Sequence, residues 1–181
     1  MSKENMQDGH GSHHDHQHHD HSEEPMTQQE VVQSLLVLGQ VALNAGDYES
    51  AVEAYASALQ LERNDVALYN LASLYARGLG VRQDFREAAR LFHEAELLGN
   101  VRAGKLCAKC MFDYIDANIQ SATPAKVYAA MAVFVAQVYP EATDQKQEVG
   151  NGLTAIGNTY LSKGDQDAAN KVFAAVDEFC D

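Results

Sequence analysis

The sequence predicts an all-α protein, a solenoid of about four antiparallel helix pairs preceded by a disordered, His-rich tail. Three observations carry this reading. From Thr27 onward apolar residues recur at helical spacing. Short polar turns carrying capping residues separate the helical stretches. One pattern of apolar, small and aromatic positions then returns along the chain. With 181 residues, the chain is long enough to bury a core without disulfides or a structural metal.

The elements follow in order. Thr27-Gln28-Gln29-Glu30 is a capping box, so a helix begins there and runs to about Ala45, ending at Gly46. Asp47 caps a second helix, from about Tyr48 to Leu61. Asp65 is expected to cap a third, from Val66 to about Arg77, before the turn Gly78-Leu79-Gly80. Asp84 caps a fourth, ending near Leu98 before Gly99-Asn100. Thr123-Pro124 reads as an N-cap with proline in the first helical turn. Gly164-Asp165 repeats the Gly46-Asp47 joint and opens a last helix, about Gln166 to Phe179.

The spacing Leu35, Leu38, Gly39, Ala42 returns as Leu68, Leu71, Ala72, Tyr75 and as Leu153, Ile156, Gly157, Tyr160. In the following helices Ala51 and Tyr55 correspond to Ala88 and Phe92, and to Ala169 and Phe173. Small residues let two antiparallel helices approach, and the aromatic fills the gap to the next pair. A single pair cannot bury its apolar face, whereas stacked pairs share a continuous core.

On these residues the chain resembles two related repeats. Residues 35–64, with Gly46-Asp47-Tyr48, Ala51, Tyr55 and Ala58-Leu59, look like a tetratricopeptide repeat. The stretch from Leu71 to Ala88, with its Gly78-Leu79-Gly80-Val81 insertion, looks like a Sel-one-like repeat, and residues 153–176 again resemble a tetratricopeptide repeat. The resemblance implies a right-handed α-solenoid over 27–181, in units of about 30–64, 65–99, 100–140 and 145–181. The third unit departs from the pattern. Ala103, Leu106, Cys107 and Cys110 keep the first-helix spacing, but Leu106 to Ala130 is 24 residues against 13 from Leu38 to Ala51. Longer helices or an irregular connection around residues 120–123 must absorb the difference.

The resemblance also implies a noncatalytic interaction scaffold whose first helices line a groove for a protein segment. On the repeat template the groove-facing residues are Gln33, Leu36, Gln40, Leu43 and Asn44 in the first unit. In the second they are Val66, Tyr69, Ser73, Ala76 and Arg77, and in the last Asn151, Thr154, Asn158 and Leu161. The Lys, Arg and Asn clamp with which some family members grip a terminal carboxylate does not carry over, because Leu36 and Gln40 stand in the first unit.

Residues 1–26 differ in composition. His10, His13, His14, His16, His18, His19 and His21 crowd together with Asp15 and Asp20 between them. A segment this poor in large apolar residues cannot offset its ordering entropy and is expected to be disordered. Closely spaced imidazoles on a flexible chain can close around Zn²⁺, Ni²⁺ or Cu²⁺. A metal-handling protein, buffering or delivering Zn or Ni through this tail, is therefore the alternative function. The repeats themselves require no cofactor.

The balance of 26 acidic against 13 basic residues, a net charge of −13, opposes nucleic-acid binding, which needs a clustered positive face. No apolar run reaches a membrane span and the first 26 residues hold no secretion signal. With three cysteines the chain is no disulfide framework, and a cytoplasmic location is expected. Cys107-Ala108-Lys109-Cys110 falls inside a helix at core positions, which favours buried structural thiols over a redox pair or zinc site. Outside the tail His93 is the one histidine, expected to face solvent, and no phosphate loop or nucleophile elbow is present, so no enzyme is predicted. The last helix carries Val172, Phe173, Val176 and Phe179 with no polar capping helix after it. Weak self-association through that end is expected.

Overall fold

The computed structural model describes residues 25–119 and 122–180. The His-rich run, His10 to His21, lies outside the described residues. Eight helices succeed one another among the described residues, with no strand: α1 (Gln28–Ala45), α2 (Tyr48–Leu61), α3 (Asp65–Arg77), α4 (Phe85–Leu97), α5 (Ala103–Ile119), α6 (Pro124–Val138), α7 (Gln145–Ser162) and α8 (Gln166–Phe179).

Local chemistry sets the boundaries. The Thr27 amide donates to Glu30 Oε2 at 2.8 Å while the Glu30 amide donates to Thr27 Oγ1 at 3.3 Å, closing the capping box. Asp47, Asp84 and Asp165 each accept from a first-turn amide, as their spacing predicts, and Asp144 does the same for α7. One cap is corrected. Asn64, not Asp65, caps α3, its Oδ1 accepting from the amides of Val66 and Ala67 at 3.0 and 3.1 Å. Asp65 is then left to accept from Asn100 Nδ2 at 3.2 Å, tying the start of α3 to the turn before α5. Gly46 and Gly78 end their helices with φ of 77° and 64°.

Packing makes hairpins of α1 with α2, α3 with α4, and α7 with α8, the neighbour-to-neighbour arrangement of a helical repeat solenoid. Gly39 and Gly157 let the helices close. A Cβ on Gly39 would stand 2.7 Å from the Tyr55 ring, and one on Gly157 2.6 Å from the Phe173 ring. Ala72 and Ala88, at the corresponding small positions of the second hairpin, are fully buried. The core runs unbroken from Ala51 and Tyr55 to Leu153 and Val172.

The third unit is the irregular one. α5 packs chiefly on α4, while α6 lies across α8, α7 and α4 and touches α5 lightly. Three lengthenings absorb the extra residues. α5 continues to Ile119, the connection spans residues 120–123, and α6 begins well before Ala130.

One expectation about the ends is reversed. Leu71 and Ile156 are buried, but Leu38 is 54% exposed. Leu71 belongs to α3, which packs on α2, and Ile156 to α7, which packs on α6, whereas among the described residues no helix precedes α1. At the other end Phe173 and Val176 are half-buried against the core, and Phe179 stacks on Tyr128 of α6 with ring centroids 5.1 Å apart. Among the described residues Val37, Leu38 and Val41 leave an apolar face of the first helix exposed.

Candidate functional site

Because α3 and α5 both rest on α4, a groove of about 440 Å³ opens between them. Its floor is apolar: Phe92 from α4, Ala76 from α3, and Leu106 and Cys110 from α5. Tyr69, Asn70, Ser73 and Arg77 form one rim, Lys109 and Asp113 the other. Tyr69, Ser73 and Arg77 stand four residues apart and share one helical stripe.

The rims are held in place. The Tyr69 ring meets Phe92 edge to face, with centroids 5.6 Å apart. Ser73 Oγ donates to the Tyr69 carbonyl at 2.9 Å, and Arg77 Nε donates to the Ser73 carbonyl at 3.0 Å. Bonding through Nε fixes the guanidinium while leaving its two terminal amino groups as donors toward a ligand. Across the groove Lys109 pairs with Asp113 one turn on. Burial, reinforced by Cys107 and Asp113, pushes the Cys110 thiol up to about 12, so the floor stays neutral at physiological pH. This surface can hold an apolar side chain below and hydrogen-bond a backbone or a carboxylate above.

Of the residues placed on the groove by the template, the structure brings Tyr69, Ser73, Ala76 and Arg77 into this one cavity. Gln33 lies apart, on the outer side of α1. Gln40 donates to Asn44 Oδ1 at 3.1 Å along α1, and Leu36 packs partly into the core. Asn151, Thr154 and Asn158 form an exposed stripe on α7. Asn70, Lys109 and Asp113 were not foreseen. They lie on the sides of α3 and α5 that face each other, off the template stripe, and their one sequence signal was the Lys109–Asp113 spacing.

A second cleft, about 730 Å³, lies between α4 and the end of α6. Its arginines are ion-paired: Arg63 Nη2 donates to Glu94 at 3.0 Å, and Arg90 bonds both Glu87 and Glu94. His93 lines this cleft half-buried, whereas the sequence placed it facing solvent. Its ring meets Tyr139 edge to face, centroids 4.6 Å apart, because α6 and the turn after it fold over α4. Cys107 is buried at a core position, Sγ 3.5 Å from Tyr139 Oη, and desolvation raises its pKa. Neither it nor Cys110 has the depressed pKa of a reactive thiol. Among the described residues no three His, Cys, Asp or Glu side chains gather as a metal site, and no helix is long and apolar enough to cross a membrane.

No curated protein matches the chain. Residues 32–65, the α1–α2 hairpin and the turn that follows it, match the family model of the tetratricopeptide repeat, a repeat that suggests a protein–protein interaction scaffold.

Proposed function

We propose that the chain is a noncatalytic scaffold that binds a segment of a partner protein in the groove between α3 and α5. The observation that supports this best is the groove's construction: an apolar floor at Phe92, Leu106 and Cys110 under the positioned donors of Tyr69 and Arg77. A peptide would place one apolar side chain on that floor, with Arg77 and Lys109 on the rims favouring an acidic neighbour. The acidic balance of the whole chain makes nucleic acid an unsuitable partner. Affinity capture with the full chain tests the reading. Partners held by the wild type are lost by a Tyr69→Ala, Arg77→Ala variant that keeps its helical circular dichroism. An unchanged partner set would move the binding surface elsewhere.

The seven histidines between His10 and His21 support a second reading, in which the tail carries Zn²⁺ or Ni²⁺ and the repeats dock a recipient. Metal content of the untagged protein from its own host separates the two. Stoichiometric metal that disappears on deletion of residues 1–26 supports metal handling, and its absence removes that reading.

A further inference from the structure

The outer face of α1 is apolar and uncovered: Val37, Leu38 and Val41 are 54%, 54% and 58% exposed, with Met26 beside them at 57%. Together they present roughly 400 Å² of apolar surface, the size of the largest patch on an ordinary monomer, which is often a functional one. The matching face of α3 lies under α2, and that of α7 under α6. What the fold places there twice is another amphipathic helix.

Three features say which helix. Val37 and Leu38 sit near the middle of α1, which runs from residue 28 to 45, so a two-fold rotation there lays Val37 of one copy against Leu38 of the other. Glu30, Gln33, Ser34 and Val37 line a shallow depression of about 500 Å³ on this face. Those four residues have the i, i+3, i+4, i+7 spacing of a hole that receives one side chain from a facing helix. Small Ser34 leaves its centre open, and Val41 of a second, antiparallel α1 fits it with the two-fold axis between Val37 and Leu38. Charge agrees. In a chain of net charge −13, α1 carries a single charged residue, Glu30. In the antiparallel arrangement the two Glu30 side chains lie about 20 Å apart at opposite ends of the contact.

We propose that α1 is a self-association surface, on which two copies of the chain pack α1 against α1, antiparallel, with Val41 of each seated in the Glu30–Val37 hole of the other. The contact is smaller than the roughly 800 Å² per partner of a standard stable interface, so the dimer is a dissociating one in the micromolar range. Residues 1–24 hold only Met1 and Met6 as large apolar side chains, which makes a second α1 the better chemical match for this face.

Sedimentation velocity of the full chain in EDTA, which removes metal bridging through the tail, tests this over roughly 5 to 500 μM. The wild type shifts from monomer to dimer across the range. Leu38→Glu stays monomeric throughout with an unchanged melting temperature, whereas Val101→Glu, also on an exposed apolar residue, dimerises like the wild type. Leu38→Cys cross-links to itself under mild oxidant and Ala45→Cys, far from the axis, does not. A wild type that is monomeric throughout overturns the proposal, as does a dimer that survives Leu38→Glu. A chain that dimerises only once residues 1–24 are removed overturns it too, and assigns the face to the tail.

Discussion

Tyr55 stands at the position that Phe92 and Phe173 fill in the other hairpins, and it is fully buried. Its hydroxyl has no hydrogen-bond partner. The ring lies against Gly39, in space that exists because that residue has no Cβ. A buried hydroxyl without a partner costs about 1–3 kcal/mol. Removing one oxygen leaves a gap of roughly 10 Å³, which costs only about 0.2 kcal/mol on the cavity scale. Tyr55→Phe is therefore expected to stabilise the fold by about 1 kcal/mol, which raises the melting temperature by about 2–4 °C for a domain of this size. Thermal and urea unfolding followed by circular dichroism measure it, with an unchanged urea m-value as the sign that the gain is in the native state. Gly39→Ala is the control. Its Cβ would meet the ring at 2.7 Å, so overpacking of about 1–3 kcal/mol outweighs the helix propensity gained. That loss persists in the Tyr55→Phe background, because the ring remains. A Tyr55→Phe protein less stable than wild type would show that the hydroxyl is satisfied, by a bound water if by nothing else, and the burial reasoning would fail.

Two further predictions concern the turns and the titrating core. Gly80 has φ +69°, and a Cβ there would lie inside contact distance of the Tyr48 carbonyl, at the start of α2. Gly80→Ala should cost more than about 2 kcal/mol, through the left-handed backbone and the clash together, whereas Gly46→Ala, with φ +77° but open space, should cost about 1 kcal/mol. Equal losses in urea denaturation would refute the close approach. Burial raises the pKa of Cys107, Tyr55, Tyr139 and Tyr160, and takes Cys110 up to about 12. Each group keeps its proton in the fold at a pH where the unfolded chain has lost it, so the stability tied to it is whole below the unfolded values of 9.0 and 10.0 and falls as pH rises toward the folded ones. Urea midpoints should be level from pH 7 to about 8.5 and decline steadily above pH 9. A profile flat to pH 11 would mean that these groups meet water.

The helix limits were legible in the sequence because caps are local. Thr27, Asp47, Asp84 and Asp165 each act on amides two or three residues away, and nothing distant interferes. Asp65 escaped because its neighbour Asn64 satisfies the same amides and its own carboxylate bonds Asn100, 35 residues on. Leu38 has the same local pattern as Leu71 and Ile156. Its exposure is decided by what precedes it in space, which a repeat motif does not encode. The groove was half legible for a similar reason. Tyr69, Ser73 and Arg77 follow from the stripe on α3, but Lys109 and Asp113 depend on how α5 is rotated against α4 in a unit that breaks the pattern.

That broken unit explains why the molecule has two unlike hollows on one helix. Phe92 and His93 are adjacent on α4, about 100° apart around its axis. In the regular hairpins the aromatic at this position packs back on the glycine of its own first helix, as Tyr55 does on Gly39 of α1 and Phe173 on Gly157 of α7. At α4 the next first helix, α5, stays close to α4 instead of joining α6, and Phe92 becomes the floor of a groove whose rims are α3 and α5. The long α5 and the early start of α6 carry α6 across the far side of α4 toward α8. There Tyr139 closes over His93 and the ion-paired Arg63, Arg90 and Glu94 line the second cleft. The first hollow has Tyr69 and Arg77 over an apolar floor, while in the second the arginines pair with glutamates. The same irregular spacing between Leu106 and Ala130 thus separates the proposed docking groove from a cleft whose arginines are held within the fold.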